Sequence, residues 1–147
     1  MAFLIVFVVM MILISSGDFN EIESVCEELL NKRNTIWNKI FDGSYSVENF
    51  EDDIKSVARG ELFLEDIEAY KYLCDNPTDM EKVVSLKLYS GKVEKVNSGY
   101  IIEGSILWNI ESQEGLESIS YKYYIEMEKY KGNWYLTSIN PIEQKRH

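Results

Sequence analysis

The sequence predicts an α+β domain in which a long N-terminal helix and shorter helices pack in a curled four-stranded antiparallel sheet. Three observations carry that prediction. Apolar residues recur at helical spacing from Ile22 to Phe41. After Pro77 the period changes to two, the signature of strands with one buried face. The breaks between the alternating runs are short, and short connections join consecutive strands as an antiparallel meander.

Asp18 with Glu21 has the form of a capping box and marks an expected helix start. Ile22, Val25, Cys26, Leu29, Leu30, Ile36, Trp37, Ile40 and Phe41 then form one apolar stripe. Gly43 follows, where a left-handed C-cap would lie. Ser46 is placed to cap a second helix with Phe50, Ile54 and Val57 inward, ended by Gly60. A third helix is expected from Glu61 to Asp75, with Phe63, Ile67, Tyr70 and Cys74 on one face. Asn76-Pro77 closes it, because proline disfavours helix in the residue before it.

Four strands follow. Val84, Leu86 and Leu88 alternate with polar residues, as do Tyr100, Ile102, Ile106, Trp108 and Ile110. So do Ile119, Tyr121, Tyr123, Ile125 and Met127, and Trp134, Leu136 and Ile139 mark the last strand. Asn97-Ser98-Gly99, Gln113-Glu114-Gly115 and Lys131-Gly132-Asn133 carry turn chemistry. Gly91 and Gly104, inside strand patterns, are expected at bulges or bends.

Two segments emerge: residues 1–17, a membrane anchor or signal segment, and residues 18–147, the α+β domain. The first fourteen residues, MAFLIVFVVMMILI, are apolar throughout, and no Lys or Arg precedes Lys32. A span needs about 20 apolar residues, so this run is short for one and also suits the core of a signal peptide. Either way the domain is expected at a membrane through residues 1–14, outside the cytoplasm, or secreted. The net charge of −10 belongs to the domain, since residues 1–17 hold no charged side chain. Such a surface repels phosphates and argues against nucleic-acid binding, while it tolerates a basic protein partner.

The cysteines, Cys26 and Cys74, form no Cys-x-x-Cys, and the sole histidine is His147. That excludes a zinc site of the usual ligand types and leaves no base for a serine or cysteine nucleophile. Both thiols read as buried and free, with a disulfide between the first and third helices as the alternative in an exported domain. Asp52-Asp53 with Glu48 and Glu51 lacks the spacing of a calcium loop and reads as a solvated helix face. No cofactor is implied.

The element order, and the ending YKYYIEMEKYKGNWYLTSI from Tyr121 to Ile139, resemble the NTF2-like (cystatin-like) superfamily over residues 19–143. The resemblance implies a cone-shaped sheet around the first helix. The superfamily holds enzymes, small-ligand binders and inert modules. Some of the last stand outside a membrane on one N-terminal helix, in conjugation and secretion machines. Its enzymes commonly place an Asp with a His or Tyr inside the cone, and this chain has no internal His and no Asp at an assigned strand position. The expected function is therefore non-enzymatic, acting through protein–protein contacts or as a homo-oligomer. The alternatives are a cone that binds a small apolar ligand or does weak catalysis, and an acidic inhibitor of a basic partner. Trp37, Phe41, Trp108, Tyr121 and Tyr123 are the residues expected to line such a cone or to fill it as core.

Overall fold

The computed structural model describes residues 2–143, with side chains from Phe19 onward apart from that of Asp79. The reading of residues 1–14 as a membrane segment lies outside the described side chains. Among the described residues no helix is long and apolar enough to cross a membrane.

Helix α1 (Ala2–Asn38) runs unbroken through Asp18, so the expected helix start there is absent. A capping residue must leave helical geometry, and Asp18 sits in the helix interior. A 3-10 turn, Lys39–Phe41, tightens the C-terminal end. The Asp42 N–H then donates to the Lys39 carbonyl with Asp42 extended, so Gly43 needs no left-handed conformation and has none.

Helix α2 (Val47–Ile54) is capped as its sequence predicts, the Ser46 hydroxyl accepting from the Asn49 N–H at 3.1 Å. Its Phe50 and Ile54 are buried, and Val57 just beyond it joins them. Helix α3 (Gly60–Asp75) begins at Gly60, whose φ of +60° favours glycine. Its buried side is rotated from the expected one: Leu62, Asp66, Ile67 and Tyr70 are inside, Phe63 is half-buried and Cys74 is exposed. The cause is Asp66, which is drawn inward by Arg33 on α1.

The sheet comprises β1 (Lys82–Val96), β2 (Gly99–Ser112), β3 (Gly115–Tyr130) and β4 (Asn133–Pro141), antiparallel in the order β1-β2-β3-β4. Lys131 and Gly132 both have positive φ, as the right-handed twist of the β3–β4 hairpin demands. Register shifts at Val83/Ser85 and Ser90/Lys92 bend β1. The first leaves Val84 exposed instead of inward. The second falls at Gly91, the bulge glycine the sequence suggests. Gly104 pairs with Ser90 beside that same shift, as the sequence also suggests, and a Cβ there would lie 2.8 Å from the Tyr89 carbonyl oxygen.

The sheet's inner face meets the helices. Ile102, Ile106, Ile125 and Leu136 are fully buried there, against Cys26 and Leu30 of α1 and Phe50 and Ile54 of α2. Side chains of α1 also serve the outer margin of β1. Glu27 accepts from the Leu88 N–H at 2.9 Å, and Asn34 and Asn38 donate to the Val83 carbonyl at 3.1 and 2.8 Å. The outer margin of β4 is met by the α2–α3 connection: Leu136 donates to Val57 at 2.8 Å and accepts from Arg59 at 3.0 Å.

Candidate functional site

The five aromatics expected to share a cone are not gathered in one. Trp37 packs among helices, edge-on to Phe50 at 4.9 Å and tilted against Tyr70 at 5.8 Å. Phe50 and Tyr70 stack at 4.0 Å. Trp108 and Tyr123 lie together on the inner face of the sheet, half-buried, the Trp108 Nε1 donating to the Tyr123 hydroxyl at 3.2 Å. Burial raises the Tyr123 pKa above its ordinary value. Phe41 and Tyr121 are exposed, at 46% and 54%. Phe41 turns out because the 3-10 turn breaks the α-helical phase of the stripe one turn before its end. Tyr121 is exposed because β4 does not reach it.

A cleft of about 320 Å³ lies between α1 and α2, away from the sheet's inner face. Lys32, Ile36 and Lys39 line one wall, and Asp53, Ser56 and Val57 the other. Asp53 is its best-connected polar group. Lys39 Nζ lies 2.9 Å from one of its oxygens, and the Tyr45 hydroxyl donates to the same oxygen. The Tyr45 hydrogen bond, then Lys39, holds the Asp53 pKa below the usual carboxylate range. Burial, then the bond to Asp53, pushes the Tyr45 pKa well above that of a free tyrosine. A general acid or base works best with a pKa near the operating pH, and this pair is moved away from it in both directions. What the trio offers is a fixed carboxylate and an ammonium group beside a shallow apolar wall.

The strongest polar arrangement is one the sequence pattern did not single out. Arg33 grips Asp66 with two bonds, Nε at 2.8 Å and Nη2 at 2.5 Å, and Asp66 is 2% exposed. The only signal in the sequence is that Arg33 falls among the apolar residues of α1 and Asp66 four residues from both Leu62 and Tyr70. Both cysteines are free, so the alternative of a bridge does not occur. Cys26 is buried as expected. Its thiol is pushed up to about 12 by desolvation and then by Glu23 and Glu27, which makes it inert. Among the described residues, no group of acids, cysteines or histidines is arranged to hold a metal ion.

No protein-family model matches the chain, and no curated protein matches it. Among solved structures it is similar to the intermembrane space region of the chloroplast protein ARC6, at 12% identity and a TM-score of 0.40, over 80% of this chain and 95% of that one. It is also similar to a SEC-C motif containing protein from Rhodopseudomonas palustris, at 14% identity and a TM-score of 0.42, over 82% and 91%. Likeness at this level carries no statement about what this chain binds.

Proposed function

We propose that the protein is a non-enzymatic contact module, an NTF2-like domain held at a membrane by its apolar N-terminal segment. It acts through protein–protein contacts outside the cytoplasm, in an envelope or secretion assembly. The observation that carries this reading is the filling of the part of the sheet's inner face that the helices cover. Ile102, Ile106 and Ile125 are covered to zero exposure by helix side chains, where an enzyme of this architecture would keep a substrate chamber. The apolar run of residues 1–14 supports the membrane part. A second reading, a small-ligand binder, draws its support from the α1–α2 cleft with its paired Lys39 and Asp53.

Fractionation and cross-linking of the full chain in its own cells test the proposal. The protein is expected in the membrane fraction after a high-salt wash, cross-linked to another protein or to itself. Release by salt alone removes the apolar attachment. A chain that cross-links to nothing removes the contact role.

A further inference from the structure

The sheet has a margin that nothing described covers. β4 ends at Pro141, opposite Tyr123, and the last bond along that side runs from the Ile142 N–H to the Lys122 carbonyl at 2.8 Å. β3 continues beyond it for seven more residues, back to Gly115, paired only with β2. Backbone groups alternate sides along a strand, and the β2–β3 register is unbroken. Since Lys122 turns its carbonyl away from β2, so do Ser120, Ser118 and Leu116. Each presents one N–H and one C=O to the open side.

The side chains there agree. Leu116 is 76% exposed, Ser118 and Ser120 are exposed, and on the inner side Ile119 is half-buried and Tyr121 exposed. Other margins are handled differently. α1 serves β1 from Val83 to Leu88, the α2–α3 connection meets β4 at Leu136, and the far half of β1 carries the Gly91 bulge with Lys92 and Lys95. Lysines and bulges discourage strand addition. Between Leu116 and Tyr121 there is neither, and the only charge is Glu117.

We infer that the Leu116–Ser120 margin of β3 is a docking site for an extended basic segment of a partner protein, which adds to the sheet as a fifth strand. Main-chain bonds to Leu116, Ser118 and Ser120 would hold it, and alternate side chains would select it. Apolar residues of the segment would lie beside Ile119 and Tyr121, and a lysine or arginine beside Glu117. The charge argument fixes the occupant's sign. Glu114 and Glu117 flank the margin without an ion pair among the described residues, and no basic residue lies between them and Tyr121. A second copy fits less well. A two-fold centred on Ser118 would drive its hairpin turn into Ile142, and one centred on Glu117 would set two carboxylates face to face.

The inference rests on the contact-module reading, and the following measurement separates the two. Amide exchange of the full chain in detergent is followed with and without a synthetic peptide that alternates Val with Thr and carries Lys at one end. Rapid exchange at Leu116, Ser118 and Ser120 is expected in the free chain, slowed in all three by the peptide. Ser118→Pro should abolish this slowing with no more than a small fall in melting temperature, because that N–H serves no bond among the described residues and the only bond lost is the exposed one from the Ser118 hydroxyl to Asn109. Glu117→Gln should weaken binding of the Lys peptide and leave a Gln version unaffected. Slow exchange in the free chain would overturn the inference, since something of the chain's own would already cover the margin. So would a peptide that leaves the three amides unchanged, or a self-association of the full chain that Ser118→Pro abolishes. Partner cross-links that survive Ser118→Pro would overturn the docking site and leave the contact-module reading standing.

Discussion

At the scale of single residues, stability concentrates where α1, α2 and α3 meet. Trp37 contributes its ring to the Phe50–Tyr70 stack while remaining half-buried. Trp37→Ala should cost about 3 kcal/mol, the low end of the range for a large buried aromatic, read by urea denaturation. A loss under about 1 kcal/mol would place the ring outside the packed cluster. Beneath it, the Arg33–Asp66 pair is nearly dry on the Asp66 side, so each partner needs the other. Asp66→Ala should destabilise by about 3–5 kcal/mol, whereas a double change of Arg33→Met with Asp66→Leu should recover most of that loss. Equal losses in the single and double variants would show that packing, not charge pairing, matters there. Asp53 is more exposed and its effect smaller, but its sign is set. A carboxyl with a depressed folded pKa contributes stability above its unfolded value of about 4 and loses it as pH falls through the folded value. Asp53→Asn should therefore be less stable than the wild type at neutral pH, with the gap closing in acid below about pH 4. A gap that stayed constant down to pH 2 would assign the effect to something other than ionisation.

At the scale of elements, the helices are held by local chemistry and the strands by close approach. Ser46 caps α2 with a single hydrogen bond, so its loss should be limited to about 1 kcal/mol. Gly99 is a different case. It follows the β1–β2 turn, where a Cβ would come 1.8 Å from the Met127 carbonyl oxygen, a backbone atom that cannot swing aside. Gly99→Ala should thus destabilise more than Ser46→Ala, with a visible change in the β2–β3 amide resonances near Met127. The opposite order would mean that the hairpin adjusts freely. The strand margins belong to this scale as well. α1 reaches β1 through Glu27, Asn34 and Asn38, polar residues on the flank of a helix that is otherwise apolar toward the sheet.

At the scale of the whole molecule, charge divides with the layers. Residues 18–81 carry seventeen acids against six basic residues, and residues 82–147 carry eight against nine. The helical side is therefore the source of the protein's negative field, and the sheet is close to neutral. A cationic partner would be drawn in at long range by the helices, with an on-rate that falls as salt rises. Attachment through residues 1–14 would behave in the opposite way, since an apolar contact is strengthened rather than screened by salt. Removing residues 1–17 should move the protein from the membrane pellet to the supernatant while the melting temperature of the remaining domain is kept. Continued sedimentation of the truncated chain would locate the attachment in the domain itself.

The α+β class, the order of the elements, the Ser46 cap and the Lys131-Gly132 turn were all legible in the sequence. Each depends on residues close in the chain: an apolar repeat of 3.6 or 2, a hydroxyl three residues from an N–H, a glycine where φ must be positive. The core was legible as far as periodicity reached, and Ile22, Cys26, Leu30, Ile102 and Ile125 are buried as their spacing implies. The placement of the five aromatics was not. Whether Trp37 meets a sheet or two other helices depends on how α2 and α3 dock, which no local pattern specifies. Phe41 was displaced by a 3-10 turn and Tyr121 by the length of a neighbouring strand. The rotation of α3 followed from Arg33 and Asp66, thirty-three residues apart, whose pairing depends on the angle between two helices. The open margin of β3 is likewise a property of tertiary structure: β3 is paired with β2 along nearly its whole length, and only the end of β4 at Pro141 leaves half of its other side open.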